Sequence, residues 1–148
     1  MNQTLRIWSP LLNLWKIASM VTQITDGVKV SVETVYQSEY SNPENEHFMF
    51  AYHITIENVG EHSVQLLRRH WVVYDSGSGD KREVDGEGVV GLQPLIAPGE
   101  KHDYVSGCNL KSEMGYMEGS YQMRREVDGT LFDVLIPRFS LVAPFRMN

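Results

Sequence analysis

Phe48, Phe50, Tyr52, Ile54 and Ile56 place an apolar side chain at every second position, and Met49, Ala51, His53, Thr55 and Glu57 fall between them. An extended strand puts alternate side chains on opposite faces, so this run buries one face against a core. Each Phe or Ile so buried stabilises the fold by ~1.5–3 kcal/mol. The same period recurs in Val28, Val30 and Val32, in His102, Tyr104 and Ser106, and in Met117, Gly119, Tyr121 and Met123. It returns in Phe132, Val134 and Ile136, which Pro137 ends or edges, with a last short strand at Phe139 and Leu141. Val64 to Val73 is a strand whose period slips at Leu66-Leu67, the mark of a bulge. Arg82 to Val84 adds a short one. Asn58–His62, Ser76–Asp80, Pro98-Gly99-Glu100 and Asp128-Gly129 carry turn chemistry. Roughly seven or eight short strands with regular turns and no core helix define an all-β sandwich or barrel; a two-sheet sandwich is expected.

The 148 residues suffice for one domain with its own core. The first nineteen differ from the rest. They hold Trp8 and Trp15, contain no acid, and space Leu5, Trp8, Leu12 and Trp15 as a helix would, although Pro10 interrupts it. Asn13 and Lys16 break the apolar run, so neither a signal peptide nor a membrane span fits. Residues 1–19 are therefore expected to lie outside the fold as an extension, with Met20 a natural start and 20–148 the sandwich.

A formal net charge of −6 repels phosphate backbones, which disfavours sequence-independent nucleic-acid binding. The paired arginines Arg68-Arg69 and Arg124-Arg125 read as solvated or ion-paired. The lone Cys108 can form neither an internal disulfide nor a zinc site, and it suits a reducing, cytoplasmic setting. His102 lies six residues before it, but an inert buried thiol is the expectation. His47, His53, His62, His70 and His102 follow no metal-ligand spacing. No catalytic constellation, metal or cofactor is expected.

Gly86, Gly88 and Gly91 match G-x-G-x-x-G. In a dinucleotide site that motif needs a following helix, whose N-terminus meets the pyrophosphate. Pro94 and Pro98 fall where the helix would run, and Asp85 and Glu87 add negative charge. A glycine-rich connection between strands is expected, with a nest of backbone N–H groups for a small anion as the alternative. Met114, Tyr116, Met117, Tyr121 and Met123 are of a kind more often core than interface, yet Met and Tyr are adaptable contact residues, so Tyr116, Met117 and Tyr121 form a second candidate as a partner surface.

Several longer stretches resemble the ApaG family. They are Phe50–Asn58, Gln65–Trp71, Val84–Pro94 with Pro98-Gly99-Glu100, Tyr104–Cys108, the Gly115–Tyr121 spacing and Ile136–Phe139. The likeness runs from Val21 to Pro144. It implies an immunoglobulin- or fibronectin type III-like sandwich and no settled activity. Bacterial members are associated with cobalt and magnesium resistance and often lie beside a diadenosine-tetraphosphate hydrolase gene. Eukaryotic relatives occur in F-box proteins and in a polymerase-interacting protein, where protein contact is the natural role. A pyrophosphate-binding role has been attached to the glycine motif that Gly86, Gly88 and Gly91 match. Residues and resemblance together predict a non-catalytic module for protein–protein interaction, with a homodimer as one form and pyrophosphate or dinucleoside-polyphosphate binding as the alternative.

Overall fold

The computed structural model describes residues 20–144. Nine strands follow in order: β1 (Val21–Thr25), β2 (Val28–Tyr36), β3 (Phe48–Asn58), β4 (Val64–Asp75), β5 (Lys81–Glu87), β6 (Leu95–Ile96), β7 (Lys101–Leu110), β8 (Met114–Arg125) and β9 (Leu131–Val142). Two single turns of 3-10 helix, Ser38–Tyr40 and Pro43–Asn45, bridge β2 and β3. One sheet has the order β1-β2-β3-β7 and the other β5-β4-β8-β9, with β6 also on β4. All pairings are antiparallel. The chain is an all-β, immunoglobulin- or fibronectin type III-like two-sheet sandwich. The expected extension at residues 1–19 lies outside the described residues.

The alternating residues of β3 behave as their period requires. Phe50, Ile54 and Ile56 are fully buried, and Val28, Val30 and Val32 of β2 join them. Leu66, Tyr121, Met123, Val134 and Leu141 face them from the second sheet. Tyr52, Trp71 and Phe139 form a cluster with ring centroids 5.5–5.8 Å apart, Trp71 meeting each of the other two edge-on, which ties the two sheets together. Asn58 is a buried polar residue with its valences filled. Its amide donates to the carbonyls of His62 and Ile96, and its oxygen accepts from the Gly60 amide. It thereby staples the turn after β3 to β6.

Leu67 is the extra residue where the β4–β8 register shifts, at the predicted slip. Pro137 does not end its strand. β9 continues through it to Val142, because the β8–β9 register shifts between Met117 and Gly119 so that Pro137 and Arg138 together oppose Glu118. A bulge on an edge strand removes the ladder position that would need the missing proline N–H. The two expected strands at 132–136 and 139–141 are therefore one.

Candidate functional site

The sandwich has two lateral margins, and they differ. On one side β1 and β9 come together, and the Leu135 amide donates to the Thr25 hydroxyl at 3.2 Å. On the other side the edges are β5 and β7, each paired on one flank only. A cleft of about 210 Å³ opens between them. Its floor is Tyr52, Trp71, Val73 and Met117, and its walls include Arg82 and Val84 of β5 and the Ser106–Asn109 segment of β7, with Arg69 reaching in from β4.

Beyond the Leu67 bulge, Arg69 falls in phase with Trp71 and Val73, so its side chain takes the inner face. The position opposite on β5 is Gly86, and a β-carbon there would stand 2.7 Å from the guanidinium carbon of Arg69. The glycine's missing side chain is the arginine's seat. Arg69 Nη1 donates to the carbonyls of Glu87 and Gly88 at 3.0 Å each. Arg82 crosses the cleft, and its Nη2 donates to the Asn109 carbonyl at 2.9 Å and contacts Cys108 Sγ at 3.5 Å. None of the cleft-lining residues is acidic.

This geometry bears on the other candidates. Burial pushes the Cys108 thiol up, and the adjacent Arg82 offsets that only in part, so the thiol stays protonated near neutral pH. His102 sits six positions away on the same strand, ~20 Å distant, too far to act on it. Burial likewise raises the Tyr52 hydroxyl to about 12, against a hydrogen bond with Ser106 that works the other way. On the outer face of the second sheet, His70 bonds Asp85 at 2.8 Å, and that bond holds the imidazole above its ordinary value. Among the described residues no group of three or more His, Cys, Asp and Glu is placed to hold a metal.

The glycine run forms a tight turn. Val90 and Gly91 both have positive φ, 48° and 76°, which is a type I′ geometry closed by reciprocal Val89–Leu92 backbone bonds. The Gly88 amide donates to the Leu67 carbonyl. Gly88 has φ 62°, and a β-carbon there would lie 2.2 Å from the Leu92 carbonyl oxygen. No helix follows; β6 and a turn do. The amide of Gly88 is thus committed to β4 and those of Val89 and Leu92 to each other's residue across the turn, and the groups turned toward Arg69 are carbonyls.

The Met/Tyr candidate surface divides. Met117 and Tyr121 are buried, 2% and 0% exposed, because β8 is a central strand and these two positions take its inner face. As residues of an exposed partner surface they are corrected to core. Tyr116 takes the outer face. It stacks on Tyr74 with centroids 5.0 Å apart, and the Arg138 guanidinium lies 3.9 Å from its ring centre, held by two bonds to Glu118. The cleft arginines were missed in the sequence because Arg68-Arg69 reads as one solvated pair. The structure separates them: Arg68 points out toward Glu87 and Arg69 points in. The available signal was the two-residue phase of Arg69 with Trp71 and Val73.

Fold and cleft together define a β-sandwich domain with one sealed and one open margin. The ApaG domain pattern matches residues 38–125. The chain is 51% identical over 125 residues to protein ApaG of Afipia carboxidovorans, covering 84% of this chain and 95% of that protein. It is 55% identical over 121 residues to protein ApaG of Pseudomonas paraeruginosa, covering 82% and 94%. The crystal structure of the ApaA protein from Bordetella pertussis superposes with a TM-score of 0.76 at 44% identity, covering 79% of this chain and 94% of that one. The chain belongs to the ApaG family.

Proposed function

We propose that this protein is a non-catalytic binding module whose ligand is another protein, engaged at the open margin between β5 and β7. The observation that carries this reading is the asymmetry of the sandwich: the β1/β9 margin is sealed, whereas β5 and β7 leave two sheet edges and a cleft facing solvent. Exposed sheet edges are templates for an added strand, and proteins that keep them without a partner blunt or cover them. β5 is blunted by charge, with Lys81, Arg82, Glu83, Asp85 and Glu87 in seven residues. β7 is not: its open end carries Val105, Ser106, Gly107 and Cys108. The protonated thiol and the lack of a base beside it support the non-catalytic part of the reading, and a single free cysteine supports a cytoplasmic setting. The inward commitment of the Gly88, Val89 and Leu92 amides favours a protein ligand over pyrophosphate in the glycine turn.

The test is site-specific photo-crosslinking in the native cell. A photoreactive residue replaces Val84 on the open margin or the exposed Ile24 on the sealed one. Adducts at Val84 and none at Ile24 are expected, with a doubled mass identifying a homodimer. Equal labelling at both positions, or none at Val84, sinks the reading.

A further inference from the structure

The described residues include six arginines, and four are held by carboxylates: Arg68 by Glu87, Arg124 by Glu126, Arg125 by Asp128 and Arg138 by Glu118. The two without a carboxylate are Arg69 and Arg82, and both line the cleft. This holds in a chain whose acids outnumber its Lys and Arg by 19 to 13. A guanidinium that keeps to backbone carbonyls while acids abound retains donors for an incoming anion.

The spacing says what kind. Arg82 stands opposite Val73 on β4, and Arg69 is four residues from Val73 along the same strand. Four residues of strand span ~13 Å, so the two positions suit separated charges better than one small ion. The edge beside them supplies main-chain groups. The Asn109 carbonyl turns away from β3 to accept from Arg82. In an antiparallel ladder both main-chain groups of a residue point the same way and the direction alternates, so Gly107 and Val105 also present theirs on the open side.

Building on the binding-module reading, we propose that the cleft takes an extended acidic peptide segment of a partner protein, which adds along β7 and places two carboxylates about four residues apart on Arg82 and Arg69. The hydrogen-bonded hydroxyls of Ser106 and Tyr52 lie in the same cleft, and the pair keeps one proton to donate to a carboxylate. The chain's own first nineteen residues contain no Asp or Glu, so they lack the required chemistry. Glu83, Asp85 and Glu87 on the opposite face of β5 steer a long polyanion away from the rim.

The experiment is amide NMR of the full chain. The probe is a nine-residue peptide of alternating threonine and valine with glutamates at its third and seventh positions; its glutamine counterpart and inorganic pyrophosphate are the controls. The glutamate peptide is expected to shift Val105, Gly107 and Asn109, and the glutamine peptide to bind at least tenfold more weakly. Arg82→Gln and Arg69→Gln should each weaken the glutamate peptide about tenfold, the scale of one lost charge-assisted bond. Thermal melts confirm that each variant is folded, and Arg82→Glu should reverse preference toward a peptide with lysine at the seventh position. Equal binding of both peptides by the folded protein overturns the proposal. So do equal shifts from pyrophosphate that Arg82→Gln abolishes. Val84 crosslinks lost in Arg82→Glu support the acidic chemistry; crosslinks that survive Arg82→Glu overturn it and leave the binding module standing, whereas absence of Val84 labelling in the unsubstituted protein removes the module itself.

Discussion

The hydroxyl groups of Tyr104 and Tyr121 meet 2.5 Å apart between the sheets, one carried by β7 and the other by β8. Both side chains are buried, so each hydroxyl depends on the other for a partner within the apolar interior. Tyr121→Phe removes one and leaves the Tyr104 hydroxyl unsatisfied. A loss of ~1–3 kcal/mol in urea unfolding is expected, with the Tyr104→Phe/Tyr121→Phe double variant more stable than the sum of the two single losses implies. Strict additivity would show that the pair is not coupled.

Tyr52 predicts the alkaline limb. Burial holds its folded hydroxyl at about 12, above the 10.0 of an unfolded tyrosine. A raised folded value means that the stabilisation is complete below pH 10 and is lost as pH rises toward 12. Over that window Tyr52 accounts for a decline of about 1.4 kcal/mol per pH unit. Tyr52→Phe should therefore flatten unfolding free energy plotted from about pH 10 to 12 by that slope. An unchanged slope would place the titration elsewhere.

Asp75 predicts the acid limb. Burial alone would raise its carboxyl, but the Ser112 hydroxyl and the amides of Lys111, Ser78 and Gly77 outweigh it and hold the group below its ordinary 3.8. A depressed folded value means stability present above pH 3.8 and lost as pH falls through the folded value. Asp75→Asn should cost ~1–3 kcal/mol at neutral pH and make the acid limb shallower below about pH 4. Parallel acid limbs in the two proteins would contradict this assignment.

The glycine turn predicts two unequal substitutions. Gly88→Ala combines positive φ with a collision against the Leu92 carbonyl, and a loss of 3 kcal/mol or more is expected, since roughly 1–2 kcal/mol comes from the backbone conformation alone. Gly91→Ala shares the positive φ, 76°, but meets nothing within 4 Å, so about 1 kcal/mol is expected. Differential scanning calorimetry without any ligand measures both. Equal effects would mean that Gly88 is not wedged against Leu92.

The two-residue period made most of this fold legible. It predicted β2, β3, β7 and β8, and the slip at Leu66-Leu67 predicted the bulge. Pro137 marks an edge strand, as β9 is, but it does not divide the strand in two, because a proline that ends a regular ladder can also sit in a bulge, and only the register against β8 separates the cases. Met117 and Tyr121 take the core alternative and not the partner surface, for a related reason. Alternation says that neighbours face opposite ways, not which way is inward, and a central strand is known only once its partners are. The cleft itself was not legible: it depends on β5 and β7, which belong to different sheets, ending on the same side.

The seat that Gly86 offers to Arg69 has a consequence for genetics. A side chain at position 86 would first meet the flexible end of an arginine, at 2.7 Å, so Gly86→Ala should leave a folded chain with its guanidinium swung aside. A screen that recovered such an allele would seem to have found a damaged phosphate cradle. The lesion would instead be a mis-aimed cation, and second-site revertants would cluster on the cleft walls and not in the glycine turn.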